Sequence, residues 1–218
     1  MTSTASAEVD PPKPAKAAPR KQEERSREAK QRLLAATVDV LIERGYNGLS
    51  TKEVAMRAGL SNGALMHHYA SKAELVIAAT AAVYEECIER GQRVARTPQA
   101  RKDPVAGFIA DSVSVYFDWP FIAALEVLLV ARTDESLMRE IWPVIQHYHQ
   151  ATSDLWLAVF EETGIPRDRA TQVLNYTLNM IRGMALNSIW HRDRNYRARQ
   201  LEDWTRDAKR LLDPNSGS

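Results

Sequence analysis

Cysteine is almost absent from this sequence: Cys87 is the only one in 218 residues. A single cysteine forms no intrachain disulfide and no thiolate metal cluster, which excludes the small disulfide-stapled class. Apolar residues make up 44% of the chain. No run of about 18 of them occurs, so the sequence predicts no transmembrane helix. The N-terminal segment lacks the apolar core of a secretory signal, and we expect a cytoplasmic globular protein.

Motifs of catalysis are also scarce. The sequence has no glycine-rich phosphate loop and no nucleophile elbow. His147 and His149 are two residues apart, so on a helix they point about 200° away from each other and cannot chelate one metal ion. Asp134, Glu135 and Glu140 are typical of a solvated helix start. An enzyme is therefore the remote alternative, and we predict no catalytic residue, metal or cofactor.

The net charge of +1 does not by itself indicate a partner. Its distribution is more informative. Residues 1–80 hold 12 Lys and Arg against 9 Asp and Glu, whereas residues 81–218 hold 17 against 19. Any contact with nucleic acid is therefore expected in the first third of the chain.

Residues 1–26 are rich in Ala, Pro, Lys and Ser and have almost no large apolar side chains. Such a segment buries too little surface to offset its ordering entropy, so we predict a disordered basic arm. Its cations are Lys13, Lys16, Arg20, Lys21 and Arg25. Two interpretations stay open: an arm that follows phosphates or enters a minor groove, or a solubilising tail.

No stretch of the sequence alternates apolar and polar residues as a half-buried strand does, so the predicted fold is all-α. Proline and glycine mark the helix ends, with Gly45 after the first helix. Pro143 lies inside a predicted helix and is expected to kink or break it. The predicted helices cover residues 27–44, 51–58, 62–69, 72–96, 103–119, 120–132, 134–162, 167–192 and 197–212.

Residues 49–75 carry the most specific pattern, two short helices joined by a turn and followed by a third. Ser50 and Glu53 fit a capping box at the start of the first helix. Gly59 permits the left-handed backbone of the turn, and Ser61 and Ser71 fit as caps of the next two helices. This spacing is typical of a helix-turn-helix that places its second helix in the major groove of DNA.

The outer face of that second helix provides DNA contacts without an arginine. Asn62 can bond adenine in a bidentate manner, and Met66 offers apolar surface to a thymine methyl group. Residues at the helix starts meet phosphate where backbone N–H groups already favour anions. The predicted DNA-binding residues are Thr51, Lys52, Asn62, Gly63, Ala64, Met66, His67, His68 and Lys72. The alternative is a plain helical hairpin whose polar face meets only water.

Residues 32–75 resemble the N-terminal domain of TetR-family transcriptional regulators. The resemblance is carried by Glu43-Arg44-Gly45-Tyr46, Ser50-Thr51, Val54-Ala55, Ala58-Gly59-Leu60-Ser61, Gly63-Ala64-Leu65, His68-Tyr69-Ala70-Ser71-Lys72 and Leu75. It implies a DNA-binding domain over residues 27–75 and a helical effector-binding and dimerisation domain over residues 76–218. It also implies that residues 62–67 enter the major groove. Met66 departs from the family, which usually has a tyrosine there.

The helix predicted from residue 167 has two apolar faces, and a helix with two such faces must bury both. We expect one against its own core and the other, together with the last helix, against a second subunit. The predicted dimer contacts are Val173, Thr177, Met180, Met184, Leu201, Trp204, Ala208 and Leu211. The alternative is that both faces pack inside one monomer.

Aromatic residues of the second part of the chain suggest a pocket for a small hydrophobic or aromatic effector. The predicted lining is Tyr116, Trp119, Phe121, Trp142, Tyr148, Trp156 and Tyr176, with Asn175, Asn179 and Arg182 as polar contacts. Arg182 would bind an acidic group or pair with a carboxylate. The resulting prediction is a homodimeric repressor that binds double-stranded DNA at a pseudo-palindromic operator and is released by its effector. The alternative is an architectural or activating DNA-binding protein without small-molecule control.

Overall fold

The computed structural model describes residues 19–117, 121–191 and 193–213. Within these ranges the chain forms α-helices and no strand, which confirms the all-α prediction. The helices are α1 (Pro19–Gly48), α2 (Thr51–Arg57), α3 (Asn62–His68), α4 (Lys72–Ala95), α5 (Pro98–Lys102), α6 (Pro104–Phe117), α7 (Phe121–Ala131), α8 (Glu135–Glu162), α9 (Arg167–Asn187) and α10 (Arg194–Leu212).

The first helix starts earlier than predicted. It begins at Pro19, so the prediction of a disordered arm is wrong for residues 19–26. Proline suits a first helical position, and the Arg, Lys, Gln and Glu residues that follow are strong helix formers. The rest of the predicted arm, with Lys13 and Lys16, lies outside the described residues. At the other end, Gly45 has φ 66° and interrupts the helical backbone as predicted.

Three later features differ from the prediction: the helix is not broken at Pro143, the ends of α9 and α10 lie elsewhere, and one short helix is added. α8 is one continuous helix with Pro143 inside it. Pro143 lies exposed near the N-terminal third of that helix, where the rest of a long packed helix outweighs one lost hydrogen bond. α9 ends at Asn187, and α10 begins after the cap Asp193, whose side chain accepts from two backbone N–H groups. The short helix α5 was not predicted.

A single apolar core joins the first three helices to the helices behind them. Leu33, Leu65 and Leu75 pack in one cluster with Val127 of α7 and Ile141 of α8. α4 makes its most extensive contacts with α8 and then with α1. The helix-turn-helix is thus fixed to the larger helical body by shared burial.

Two further clusters fill the larger body, one between α5, α6, α8, α9 and α10 and one around Tyr116, Tyr148 and Ile181. No single helix among the described residues is long and apolar enough to cross a membrane, although α6 and α7 pass that test as a bent pair. Eight residues of α6 are buried inside the protein.

Candidate DNA-reading surface and effector pocket

Three serines start the helices of the DNA-reading region, as predicted. Ser50, Ser61 and Ser71 each have extended backbone and accept a hydrogen bond from the backbone N–H three residues on, at 3.3, 3.1 and 3.0 Å. Each cap contributes about 1 kcal/mol to helix stability. Gly59 between α2 and α3 has φ 65°, which confirms the left-handed turn.

The capping box predicted at Ser50 is only half formed. Glu53 does not return to the helix start, because its carboxylate pairs with Arg44 at 2.6 Å and Arg57 at 2.9 Å. A similar reciprocal arrangement occurs at the start of α4, where Glu74 reaches back and accepts from the backbone N–H of Ala70, the residue before the cap Ser71, at 2.7 Å. Two arginines next to Glu53 explain the difference, since a charge-assisted pair competes well with a single backbone donor.

The second reader helix, α3, separates an inner face from an outer one. Leu65 and Tyr69 are buried in the core, as predicted. Asn62, Met66 and His67 are exposed. Of the other predicted DNA contacts, Lys52 and Gly63 are exposed, and Thr51, Ala64, His68 and Lys72 are half-buried. The structure therefore brings the predicted residues to the starts of α2 and α4 and to the outer side of α3, where a groove can reach them.

Two basic side chains border this surface in less open positions. The Lys72 ammonium lies over the Tyr46 ring, 4.5 Å from its centroid, and burial lowers the pKa of Lys72. Burial, His67 and Lys30 together lower the pKa of His68, so its imidazole favours the neutral form. Lys30 of α1 is a residue near the reading surface that the sequence pattern alone did not indicate.

A cavity of about 330 Å³ lies inside the larger body, between α4, α6, α7, α8 and α9. Its walls are mainly apolar and aromatic. They are formed by Tyr84, Val115, Tyr116, Phe121, Ala124, Leu125, Leu128, Ile145, Tyr148, His149, Arg182, Gly183 and Leu186. The rings of Tyr84 and Tyr148 stack with centroids 4.6 Å apart, and Phe121 meets Tyr116 edge-on. Such a cavity suits a small apolar ligand.

Four of the predicted effector contacts line this cavity: Tyr116, Phe121, Tyr148 and Arg182. Five others do not line this cavity. Trp142 is 48% exposed on the outer side of α8, and Trp156 is fully buried elsewhere, where its indole N–H donates to Asp111. Tyr176, Asn175 and Asn179 are exposed on the outer side of α9. Trp119 lies outside the described residues.

The misassigned aromatics share one cause. A sequence pattern shows that a helix has an apolar face but not which neighbour that face meets. Tyr84, His149 and the α7 side chains Leu125 and Leu128 were missed for the same reason. The one sequence signal for this part of the lining was that α7 is apolar on two sides, which is typical of a helix between a core and a cavity.

Arg182 is the cationic group of the cavity. Its Nε donates to the Tyr116 hydroxyl at 2.8 Å, and its Nη2 lies 3.1 Å from Nδ1 of His149. Burial and the neighbouring Arg182 charge lower the pKa of His149 to about 4, so this imidazole is neutral near pH 7. Burial also raises the pKa values of Tyr84, Tyr116 and Tyr148, which keeps the phenols protonated.

The predicted dimer contacts divide into two groups. Val173, Thr177 and Ala208 are buried within the monomer, so the prediction is wrong for them. The physical reason is that α9 and α10 pack on each other, with the Trp204 indole donating to the Thr177 hydroxyl at 2.8 Å. Met180, Met184, Leu201 and Trp204 are half-buried, and Leu211 is exposed.

A different face of α9 is open to solvent. Gln172, Tyr176, Asn179, Gly183 and Asn187 follow one another at helical spacing and are all exposed. A Cβ built at Gly183 would meet nothing within 4 Å, so another helix has room to approach there. Beside this stripe, a groove of about 500 Å³ separates α9 from the start of α10.

Comparisons with known proteins agree with this geometry. The family model of bacterial regulatory proteins of the tetR family matches residues 33–79. The chain is 31% identical to the HTH-type transcriptional regulator CymR of Pseudomonas putida, over 80% of this chain and 86% of that protein.

Solved structures share the fold over most of the chain. A transcriptional regulator from Rhodococcus sp. Rha1 superposes with a TM-score of 0.63 at 25% identity, covering 84% of this chain and 95% of that one. FadR of Bacillus subtilis, in complex with stearoyl-CoA, superposes with a TM-score of 0.60 at 15% identity, covering 86% of this chain and 99% of that one.

Proposed function

This chain belongs to the TetR family of DNA-binding transcriptional regulators, and from that premise we propose that it is a homodimeric repressor released by a small hydrophobic effector. In the proposed organisation, residues 27–75 read the operator and residues 76–218 bind the effector and the second subunit. One observation carries the proposal. An exposed face of α3, flanked by the starts of α2 and α4, is fixed by a continuous core to a body that contains a largely apolar cavity.

The proposed reading of DNA divides the surface residues by task. Asn62, Met66 and His67 are exposed on α3 and would meet base edges in the major groove. Lys52 and Lys72, at the starts of α2 and α4, would contact phosphates and hold the register without selecting sequence. A two-fold dimer would present two such helices to an inverted repeat.

We place the dimer contact on the exposed stripe of α9 in place of the buried residues predicted from sequence. The stripe centres on Tyr176, Asn179 and Gly183, and the open space at Gly183 favours close helix approach. Aromatic side chains such as Tyr176, which is 50% exposed, are enriched at protein interfaces. Sedimentation of the full chain as a monomer at micromolar concentration would contradict this assignment.

Ligand control requires a helix that contacts both the cavity and the reading surface, so that a shift at one changes the other. Two helices meet this requirement. α4 carries Lys72 at the DNA end and Tyr84 in the cavity wall, about 18 Å apart at 1.5 Å per residue. α7 lines the cavity with Leu125, while its next residue, Glu126, accepts from the backbone N–H of Tyr46 at 3.0 Å.

An effector that favours a different position of α4 or α7 would change the separation of the two reading helices. It needs to bind the DNA-incompetent state more tightly by about 1–3 kcal/mol to release the operator. The stearoyl-CoA bound to FadR, a protein of the same fold, supports ligand control of this kind without identifying the effector of this chain.

The test is a footprint of the full-length protein on its genomic binding sites, repeated in the presence of small molecules that bind the purified protein. The proposal predicts protection of one short inverted repeat that a bound ligand abolishes. Protection without an inverted repeat would indicate an architectural protein. Unchanged operator affinity at saturating ligand would contradict effector control.

A further inference from the structure

The polar end of the cavity has hydrogen-bond donors in excess. A guanidinium only donates hydrogen bonds, so the Tyr116 oxygen and Nδ1 of His149 must both act as acceptors from Arg182. The Tyr116 hydrogen is then free to donate to another group. Neutral His149 must carry its ring proton on Nε2, which makes that nitrogen a donor as well.

No described carboxylate compensates this cluster. Arg182 is half-buried, and among the residues that the structure describes its hydrogen-bond partners are Tyr116 and His149, with no acidic group within 4 Å. Its partners are both neutral, because burial raises the pKa of Tyr116 and lowers that of His149 to about 4. A cation that is partly removed from water and has only neutral hydrogen-bond partners is a favourable position for an anion, which the Tyr116 hydroxyl can also reach with its free hydrogen.

The other lining residues indicate the charge of that ligand and the chemical nature of the body attached to its anionic group. Apart from this cluster, the lining consists of Gly183 and apolar or aromatic side chains, including the stacked pair Tyr84 and Tyr148. One cation balances one negative charge, and a doubly charged phosphate would leave a second charge in apolar surroundings. The volume of about 330 Å³ fits a ligand of one or two rings.

We propose that the cavity binds a monocarboxylate with an apolar, ring-sized body, its carboxylate held by Arg182 and the Tyr116 hydroxyl, while His149 positions the guanidinium. This inference rests on the proposed function for its regulatory meaning, but the binding itself does not depend on DNA. Arg182 joins α9 to α6 and α8 through its two hydrogen bonds, so a carboxylate that competes for the guanidinium would also loosen contacts between these helices.

The experiment is calorimetric titration of the full-length protein with 2-naphthoate and with 2-naphthamide, which has nearly the same shape and no charge. Hydrogen bonds to charged groups contribute about 1.5–3 kcal/mol, so the acid is expected to bind about 10- to 100-fold more tightly than the amide. Octanoate and octanamide form a second pair, which tests whether the body must be a ring. Naphthoate is expected to bind more tightly than octanoate.

The Arg182→Gln variant should lose the preference for the acid, and the Arg182→Lys variant should keep part of it. Arg139→Gln is the control, because Arg139 is an exposed arginine of α8, and it should behave as wild type. Far-ultraviolet circular dichroism and thermal unfolding of each variant show that it is folded. Equal affinity for acid and amide, an unchanged preference in Arg182→Gln, or no binding of either acid at millimolar concentration would overturn the inference. Tight binding of naphthoate with unchanged operator affinity would uphold the carboxylate site and contradict the proposed regulation.

Discussion

The candidate DNA-reading surface and the candidate effector cavity bring together residues that lie at very different distances along the chain. The reading surface uses residues between Thr51 and Lys72, and three serine caps and one glycine turn fix its shape locally. The cavity collects side chains from Tyr84 to Leu186 on five helices. Local chemistry therefore determines the first region, whereas the second exists only after long-range packing has placed the helices.

The comparison also extends to charge. The reading surface presents exposed or half-buried cations to solvent, where a phosphate can replace water. The cavity holds one cation, Arg182, between two neutral partners. A cationic side chain would thus bind the phosphates of DNA in one region and, as we propose, a single carboxylate in the other.

The largest expected effect comes from removing the packing on which the reading surface depends. Leu65 is fully buried under α3, so Leu65→Ala should lower the free energy of unfolding by about 2–5 kcal/mol and weaken all DNA binding. Met56→Ala is the control, because Met56 of α2 is 71% exposed. Urea denaturation measures both variants. Equal stability of the two would show that α3 does not depend on the shared core.

The next effect separates base reading from phosphate binding. Asn62→Ala should cost about 1–3 kcal/mol on the best DNA site and little on random DNA, because base contacts carry the sequence information. Lys72→Ala should weaken both kinds of DNA alike and reduce the salt slope by about one unit. Fluorescence anisotropy at several salt concentrations measures these changes. Equal losses on specific and random DNA for Asn62→Ala would contradict its assignment to bases.

A smaller effect tests the link between the two regions. Glu126→Ala removes the acceptor for the Tyr46 N–H, so the change in operator affinity caused by a bound ligand should shrink by about 1 kcal/mol, or about fivefold. Because coupling is reciprocal, operator DNA should change the affinity for that ligand by the same factor. Glu135→Ala, on the exposed start of α8, is the control. If a bound ligand changes operator affinity as much in Glu126→Ala as in wild type, α7 does not transmit the effect of the ligand to the reading surface.

The smallest effect concerns pH and the cavity alone. The pKa of His149 is lowered from about 6.5 in the unfolded chain to about 4 in the folded protein. Between these pH values the imidazole is protonated in the unfolded chain and neutral in the folded protein. Stability should therefore fall as the pH drops through this window. Full linkage would amount to about 3 kcal/mol, and because His149 is only half-buried and partly screened by solvent we expect His149→Gln to lose about 1–2 kcal/mol less than wild type over the same range. Thermal unfolding at each pH measures it, and parallel curves for the two proteins would mean that His149 is not buried as a neutral ring.

The sequence predicts the locally determined reading surface better than the cavity, which forms only by long-range packing. The helix starts at Ser50, Ser61 and Ser71 and the turn at Gly59 were predictable because each depends on residues within one helical turn. The partner of Glu53 was not, because Arg44 lies on a different helix and competes only once α1 and α2 are packed.

The cavity and the interfaces show the limit more clearly. Tyr116 and Arg182 were predicted as lining residues but not as a hydrogen-bonded pair, since 66 positions separate them. Trp142 and Trp156 lie on the same helix and differ only in which neighbour they face, which periodicity does not reveal. The stripe Val173 and Thr177 was assigned to a second subunit, yet α10 of the same chain covers it.

Sequence reading by α3 is tested most directly by selecting DNA from a random library with the full-length wild type. The same selection is made with a variant in which Asn62, Met66 and His67 are all alanine. We predict that the wild type enriches one inverted repeat. The variant should enrich none but keep weak, salt-sensitive binding through Lys52 and Lys72. Enrichment of the same repeat by both proteins would show that another part of the chain reads the DNA.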